Sequence, residues 1–176
     1  MKNNQVLKLA IASLLCATAV VGSLFSFPVF GSKCAPIQHV VNLICAFLLG
    51  PTYGVGVAFC ASLIRNIFGL GTFLAFPGSM FGALLCGLVY KKFKKILPTL
   101  LAEVFGTAVL GGLCAYPVAI LLTNQDSAKI TFYTYIIPFL ISTAAGAFIS
   151  ALIIYPLNRT GVLAKINSRI NMKDKK

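Results

Sequence analysis

Six apolar stretches follow one another along the chain, at about residues 6–27, 37–49, 53–69, 78–90, 98–122 and 130–157, separated by short segments rich in glycine, proline or basic residues. A helix that crosses a bilayer needs about 20 apolar residues, so 176 residues hold five or six spans and no separate soluble domain. Gly50-Pro51 closes the second stretch and Gly69-Leu70-Gly71 the third, because neither sequence continues a helix well. The second stretch is short for a span. Short spans beside such breaks are tolerated where backbone lines a protein cavity instead of lipid, and they often mark binding sites. The pattern predicts an all-α membrane protein, six transmembrane helices in one compact bundle, with a single integral membrane domain over residues 1–176 and a basic tail over 159–176. A lysine-flanked apolar segment at an N-terminus is also the form of a secretory signal, but this run is long for one and lacks an A-x-A cleavage site.

Composition removes the soluble alternative. With 59% hydrophobic and 10% charged residues and a mean hydropathy of +0.93, a soluble fold would have too little polar surface to cover its core. A net charge of +12 would suit a nucleic-acid binder, yet the fifteen basic residues are placed otherwise. Lys2 and Lys8 stand near the start, Lys91, Lys92, Lys94 and Lys95 form one cluster, and six more lie between Arg159 and Lys176. Basic residues gather on the cytoplasmic side of membrane proteins, which puts both termini and the lysine cluster inside and requires an even number of spans. The tail reads as solvated or facing lipid headgroups. Nucleic acid is not an expected partner. The six cysteines are scattered singly, mostly within apolar runs, and with one histidine in the chain neither a metal site nor any other cofactor is expected.

Polar residues inside the apolar stretches carry the chemistry. Arg65 and Asn66 end the third span, and a charge there is costly unless it snorkels to the interface or serves a site. His39 and Asn42, three apart, share a face of the second helix. Ser79 stands at the start of the fourth span, where its hydroxyl fits a helix cap or a ligand contact. Tyr116 precedes a kink expected at Pro117, and Tyr133 and Tyr135 begin the sixth span. The segment with Phe73, Phe76 and Pro77 has an aromatic surface suited to a lid. Together, His39, Asn42, Arg65, Asn66, Phe76, Ser79, Tyr116 and Tyr133 make a candidate substrate pocket of a few polar groups among apolar walls. Glu103 is the only acid within a span, about 7 Å from the cytoplasmic end at 1.5 Å per residue. That depth separates it from Arg65 and from His39 and leaves its role open between inner-bundle hydrogen bonds and a cytoplasmic-side partner. Ala12/Cys16 and Ser13/Ala17 place small residues four apart on the first helix, a pattern for close helix packing within the bundle or onto a partner. No nucleotide-binding motif and no catalytic set stands out, so the chain is not expected to be an enzyme or to hydrolyse ATP. An intramembrane transferase with His39 or Glu103 as base is the competing class, and a structural subunit with a snorkelling Arg65 is a third.

The stretches 33–42 (KCAPIQHVVN), 48–59 (LLGPTYGVGVAF), 62–88 (SLIRNIFGLGTFLAFPGSMFGALLCGL), 102–107 (AEVFGT) and 116–119 (YPVA) together resemble the substrate-binding S components of energy-coupling-factor (ECF) vitamin transporters, in particular the ThiW type. The resemblance covers residues 6 to about 158. It implies a six-helix S component of the bacterial cell membrane, multi-pass, that captures a thiamin precursor, the thiazole moiety hydroxyethylthiazole, from outside. The alternative within that class is another small vitamin or precursor. It further implies docking through small residues of the first helix onto a transmembrane T subunit, with two cytoplasmic ATPases supplying the energy. The family's AxxxA motif is replaced here by Ala12/Cys16 and Ser13/Ala17. A neutral thiazole suits stacking on Phe76 or Tyr133 and hydrogen bonds from His39, Asn66, Asn42 or Arg65, and a phosphate ester would equally explain Arg65.

Overall fold

The computed structural model describes residues 2–29, 32–123 and 130–171. Its first helix, α1 (Lys2–Gly22), continues into a single tight turn at Ser23–Phe25. Two three-residue strands follow, β1 (Phe27–Val29) and β2 (Ser32–Cys34), paired antiparallel with Phe27 opposite Cys34. A short loop was expected here, and a small hairpin occupies it. Next come α2 (Pro36–Leu48), α3 (Pro51–Ile67) and α4 (Ala75–Phe93). The fifth apolar stretch is one helical rod in three parts: α5 (Ile96–Phe105), a π-helical segment at Gly106–Gly111, and α6 (Gly112–Thr123). The departure from α geometry therefore falls before Pro117, which lies inside α6. The chain closes with α7 (Ile136–Arg159) and α8 (Val162–Asn171).

Three segments, Asn4–Phe25, Ile96–Leu122 and Ile136–Arg159, are long and apolar enough to cross a membrane, and α2 is a shorter apolar helix. Proline at the first turn starts both α2 and α3, where its missing N–H costs nothing. Gly50, at φ 87°, turns the chain between them, a conformation that would strain any side chain.

The core divides by position along the bundle. One cluster, built on Leu43, Phe47, Cys86, Leu100, Ile154 and Leu163, joins α2, α4, α5, α7 and α8. Phe47 meets Tyr90 edge-on at 4.6 Å between ring centroids. The tail was expected to be solvated or to face lipid headgroups; its helix α8 is half in the core. Leu163 and Ile170 are buried, and Asn167 Nδ2 donates to the carbonyl oxygen of Phe47 at 2.9 Å, capping the end of α2. Its other face carries Lys165, Arg169 and the exposed Ile166. A second cluster packs Ala12 and Ala19 of α1 against Val41, Cys45, Val57 and Ala61 of α2 and α3. Small residues let these backbones approach closely.

Candidate functional site

The polar side chains gather at the hairpin end of the bundle. There α2 begins, α3 ends in Arg65, α4 begins near Ser79, and the π-helical segment crosses them. Four of the expected site residues meet here: His39, Asn42, Arg65 and Ser79 are all buried.

Glu103 joins them, against the depth argument. Its Oε1 lies 3.0 Å from His39 Nδ1, 3.1 Å from Asn42 Nδ2 and 3.2 Å from Thr107 Oγ1. The expected separation of Glu103 from His39 is therefore wrong. The shortness of the second stretch was not carried into the comparison of depths. The short α2 instead brings its first turns to the level of Glu103, seven residues into the α5 rod. Gly82 of α4 makes room, since a Cβ there would meet both carboxylate oxygens and Thr107 Oγ1.

Hydrogen bonds run outward from this carboxylate in two directions. On one side His39 Nε2 lies 3.1 Å from Ser142 Oγ, which also accepts the backbone N–H of Ala35 at 3.0 Å. Ser142 can still donate its own proton to Nε2, and in that tautomer Nδ1–H points at Glu103. On the other side Gln38 Nε2 donates to Asn42 Oδ1 at 3.1 Å, and Arg65 Nη1 reaches Gln38 Oε1 at 3.4 Å. Asn42 also donates to the backbone oxygen of Ser79 at 3.0 Å. Two amides thus bridge a buried cation and a buried anion. Pairing of this kind is what keeps charges tolerable away from water.

Arg65 is 2% exposed. It does not snorkel. Its Nε has no hydrogen-bond partner among the described residues, and the long Gln38 contact is weak by geometry. The guanidinium lines a small cavity of about 30 Å³, together with Lys33, Gln38, His39, Ser79, Thr107, Phe139 and Ser142. Sites for drug-sized ligands run to roughly 300–1,000 Å³, so the wall must open to admit a ring. The hairpin closes one side, with Lys33 Nζ donating to the carbonyl oxygen of Gly69 at 3.2 Å. Cys34 Sγ lies 3.2 Å from the carbonyl oxygen of Pro138. Burial pushes the Cys34 thiol above its ordinary range, and Ser142 partly offsets the shift.

The remaining expected residues lie elsewhere. Asn66 ties off the turn after α3, donating to the carbonyl oxygens of Ser62 and Thr72. Phe76 packs on Phe59 and Phe73, outside the cavity wall. Tyr116 is half-buried on α6 and is not part of the wall. Tyr133 is 53% exposed and edge-on to Phe132, whereas Tyr135 is the buried member of the pair. Ser79 is not a helix cap, because α4 starts at Ala75. Its Oγ donates back to the Ala75 oxygen and meets Ser62 Oγ at 3.0 Å.

Gln38, Thr107, Ser142 and Phe139 were not singled out in the sequence. Two had a signal: Gln38 stands four before Asn42, and Thr107 four after Glu103, each on the face of its polar neighbour. Ser142 had only its place beside Thr143 in an apolar run.

A second cavity, a groove of about 600 Å³, runs between α1 and α3. Ala12, Ser13, Cys16 and Ala17 line it on one side and Gly56, Val57 and Cys60 on the other. It is almost wholly apolar.

An apolar helical bundle that encloses a polar, partly unsatisfied cavity has the construction of a membrane protein that holds a small solute. The chain belongs to the ThiW family: the model of the thiamine-precursor transporter protein matches residues 9–160, nearly all of it. No curated protein and no solved structure matches the chain. The protein is thus a membrane protein of a transporter family, with a small molecule as its substrate.

Proposed function

We propose that this protein is the substrate-capture S component of an ECF-type importer, that its substrate is the thiazole precursor of thiamin, and that the cavity beside Arg65 and His39 is the substrate pocket. The observation that carries this reading is the buried, partly unpartnered polar cluster at one end of an otherwise apolar bundle in a thiamine-precursor transporter family. His39, Gln38, Ser142 and Ser79 offer donors and acceptors to the ring nitrogen and hydroxyl of hydroxyethylthiazole, and Phe139 offers a flat apolar wall. Opening of the hairpin at the Lys33–Gly69 contact would enlarge the site.

The proposal includes six spans with both termini cytoplasmic. Its support is the position of Lys91, Lys92, Lys94, Lys95 and the α8 basic residues at the end away from the cavity. In this reading the cavity belongs to the outer face of a bacterial cell membrane. The α1–α3 groove, with its small residues, suits docking of a transmembrane T subunit, and ATP hydrolysis belongs to two cytoplasmic ATPases. Purified protein should bind hydroxyethylthiazole in calorimetry and not thiamin or the pyrimidine precursor. Uptake in vesicles should require the ATPase partners. Uptake by the protein alone would replace this mechanism with a secondary carrier.

A second reading has one observation in its favour. Ser142, His39 and Glu103 stand in the order nucleophile, imidazole, carboxylate of a hydrolytic triad. Against it, Ser142 is 4% exposed and its Oγ is already held by the Ala35 N–H. A fluorophosphonate probe should leave Ser142 unlabelled; stoichiometric labelling would make the enzyme reading the better one.

A further inference from the structure

The cavity has a buried cation in its wall with no described carboxylate beside it. Lys33 and Arg65 both line it. The acid of the network is Glu103, whose Oε1 is taken up by His39, Asn42 and Thr107, and which reaches Arg65 only through Asn42 and Gln38. Glu103 Oε1 meets the His39 ring, and no described carboxylate meets Arg65 directly. A guanidinium has five donors in a planar fork that matches carboxylate and phosphate oxygens. Here Nε is buried without a partner, and Nη1 has one long contact to a neutral amide. A neutral alcohol can accept hydrogen bonds from the guanidinium but leaves the charge in place. A compact anion takes the fork and offsets the buried charge of Arg65, with the exposed Lys33 on the hairpin side as a second cation.

We infer that Arg65 recognises an anionic group on the substrate, a phosphate ester or a carboxylate, with Lys33 as a second cation at the hairpin side. This rests on the thiazole reading above and refines it: the preferred form of the thiazole is the one that carries the anion. Lys33 then has two alternatives, the Gly69 carbonyl and the substrate anion, which would couple hairpin position to occupancy.

The test is calorimetric binding to full-length protein in detergent of hydroxyethylthiazole, its phosphate ester and the corresponding thiazole-acetic acid, with inorganic phosphate and acetate as separate probes. At least one anionic thiazole should bind tenfold or more tightly than the alcohol. The two anionic arms say whether phosphate or carboxylate is the group. Arg65→Gln should abolish that preference, Arg65→Lys should retain part of it, and Lys33→Gln should reduce it. Far-ultraviolet dichroism and gel filtration establish that each variant is folded. Should Arg65→Gln not fold, the Arg65→Lys and Lys33→Gln variants decide the matter by the same ratio. Alcohol binding as tight as the anions, or a preference that survives the substitutions, would overturn the inference and leave the thiazole reading intact. If no thiazole binds but inorganic phosphate or acetate binds in an Arg65-dependent way, the thiazole reading fails and the anion site stands. Binding of no probe by folded protein overturns both.

Discussion

The two ends of this bundle are held by different physics. At the hairpin end, Glu103, fully buried, gathers three donors from α2 and the α5 rod, and the network continues to Ser142 on α7 and Arg65 on α3. At the other end Leu43, Phe47, Leu100, Ile154 and Leu163 fill the space between helices, and α8 covers them. Apolar packing is tolerant, because side chains of similar volume repack at small cost. A buried polar network is not, because each missing partner strands a group without water. The difference says where function sits: the end built from unforgiving contacts is the end that still has an unpaired guanidinium nitrogen.

The comparison yields graded expectations. The largest effect belongs to Glu103→Ala, which strands donors from His39, Asn42 and Thr107 and should lower stability by about 3–5 kcal/mol, read as reduced thermal unfolding temperature in detergent. Stability within about 1 kcal/mol of the parent would mean that the network is not what holds the hairpin end. Leu163→Ala removes apolar volume at the opposite end and should cost about 2–3 kcal/mol, with substrate affinity unchanged. A matching loss of affinity would show that the two ends are not separable. Gly146→Ala tests the crossing of α7 over α2: its Cβ would meet the Pro36 oxygen and His39 Cβ, each 2.6 Å away. A cost of about 1–3 kcal/mol is expected, with a larger effect on binding than Leu163→Ala has, because His39 itself is displaced. The smallest effect is chemical. Maleimide should label the exposed Cys60 in the groove and spare Cys34, which is buried with its thiol pushed up. Rapid labelling of Cys34 in the absence of substrate would show that the hairpin is open at rest.

Hydrophobic patterning predicted the helices well because burial in lipid or in a bundle imposes long apolar runs. Helices occupy all six apolar stretches, with ends shifted by a few residues: α4 runs Ala75–Phe93 around the expected 78–90, and α7 starts at Ile136. The hairpin at β1 and β2 and the docked tail helix were not legible, since both depend on tertiary contacts, Cys34 with Pro138 and Asn167 with Phe47. For the site, spacing on one helix was informative and depth between helices was not. His39 and Asn42 were paired correctly by their three-residue interval. Glu103 was misplaced because distance along a chain fixes height only if the helices are of similar length, and α2 has 13 residues against 17 in α3 and 19 in α4. Which of Tyr133 and Tyr135 is buried was not legible, for a related reason. Tyr133 and Tyr135 are two apart at a helix start, so one faces out and the other in, and composition does not say which.

The central claim is that the polar cluster at the hairpin end, and not the apolar end, binds the substrate. Calorimetric titration of hydroxyethylthiazole into the parent protein, His39→Ala and Leu163→Ala tests it most directly. Affinity should be at least tenfold weaker for His39→Ala and unchanged for Leu163→Ala. Full affinity in a folded His39→Ala protein would contradict it.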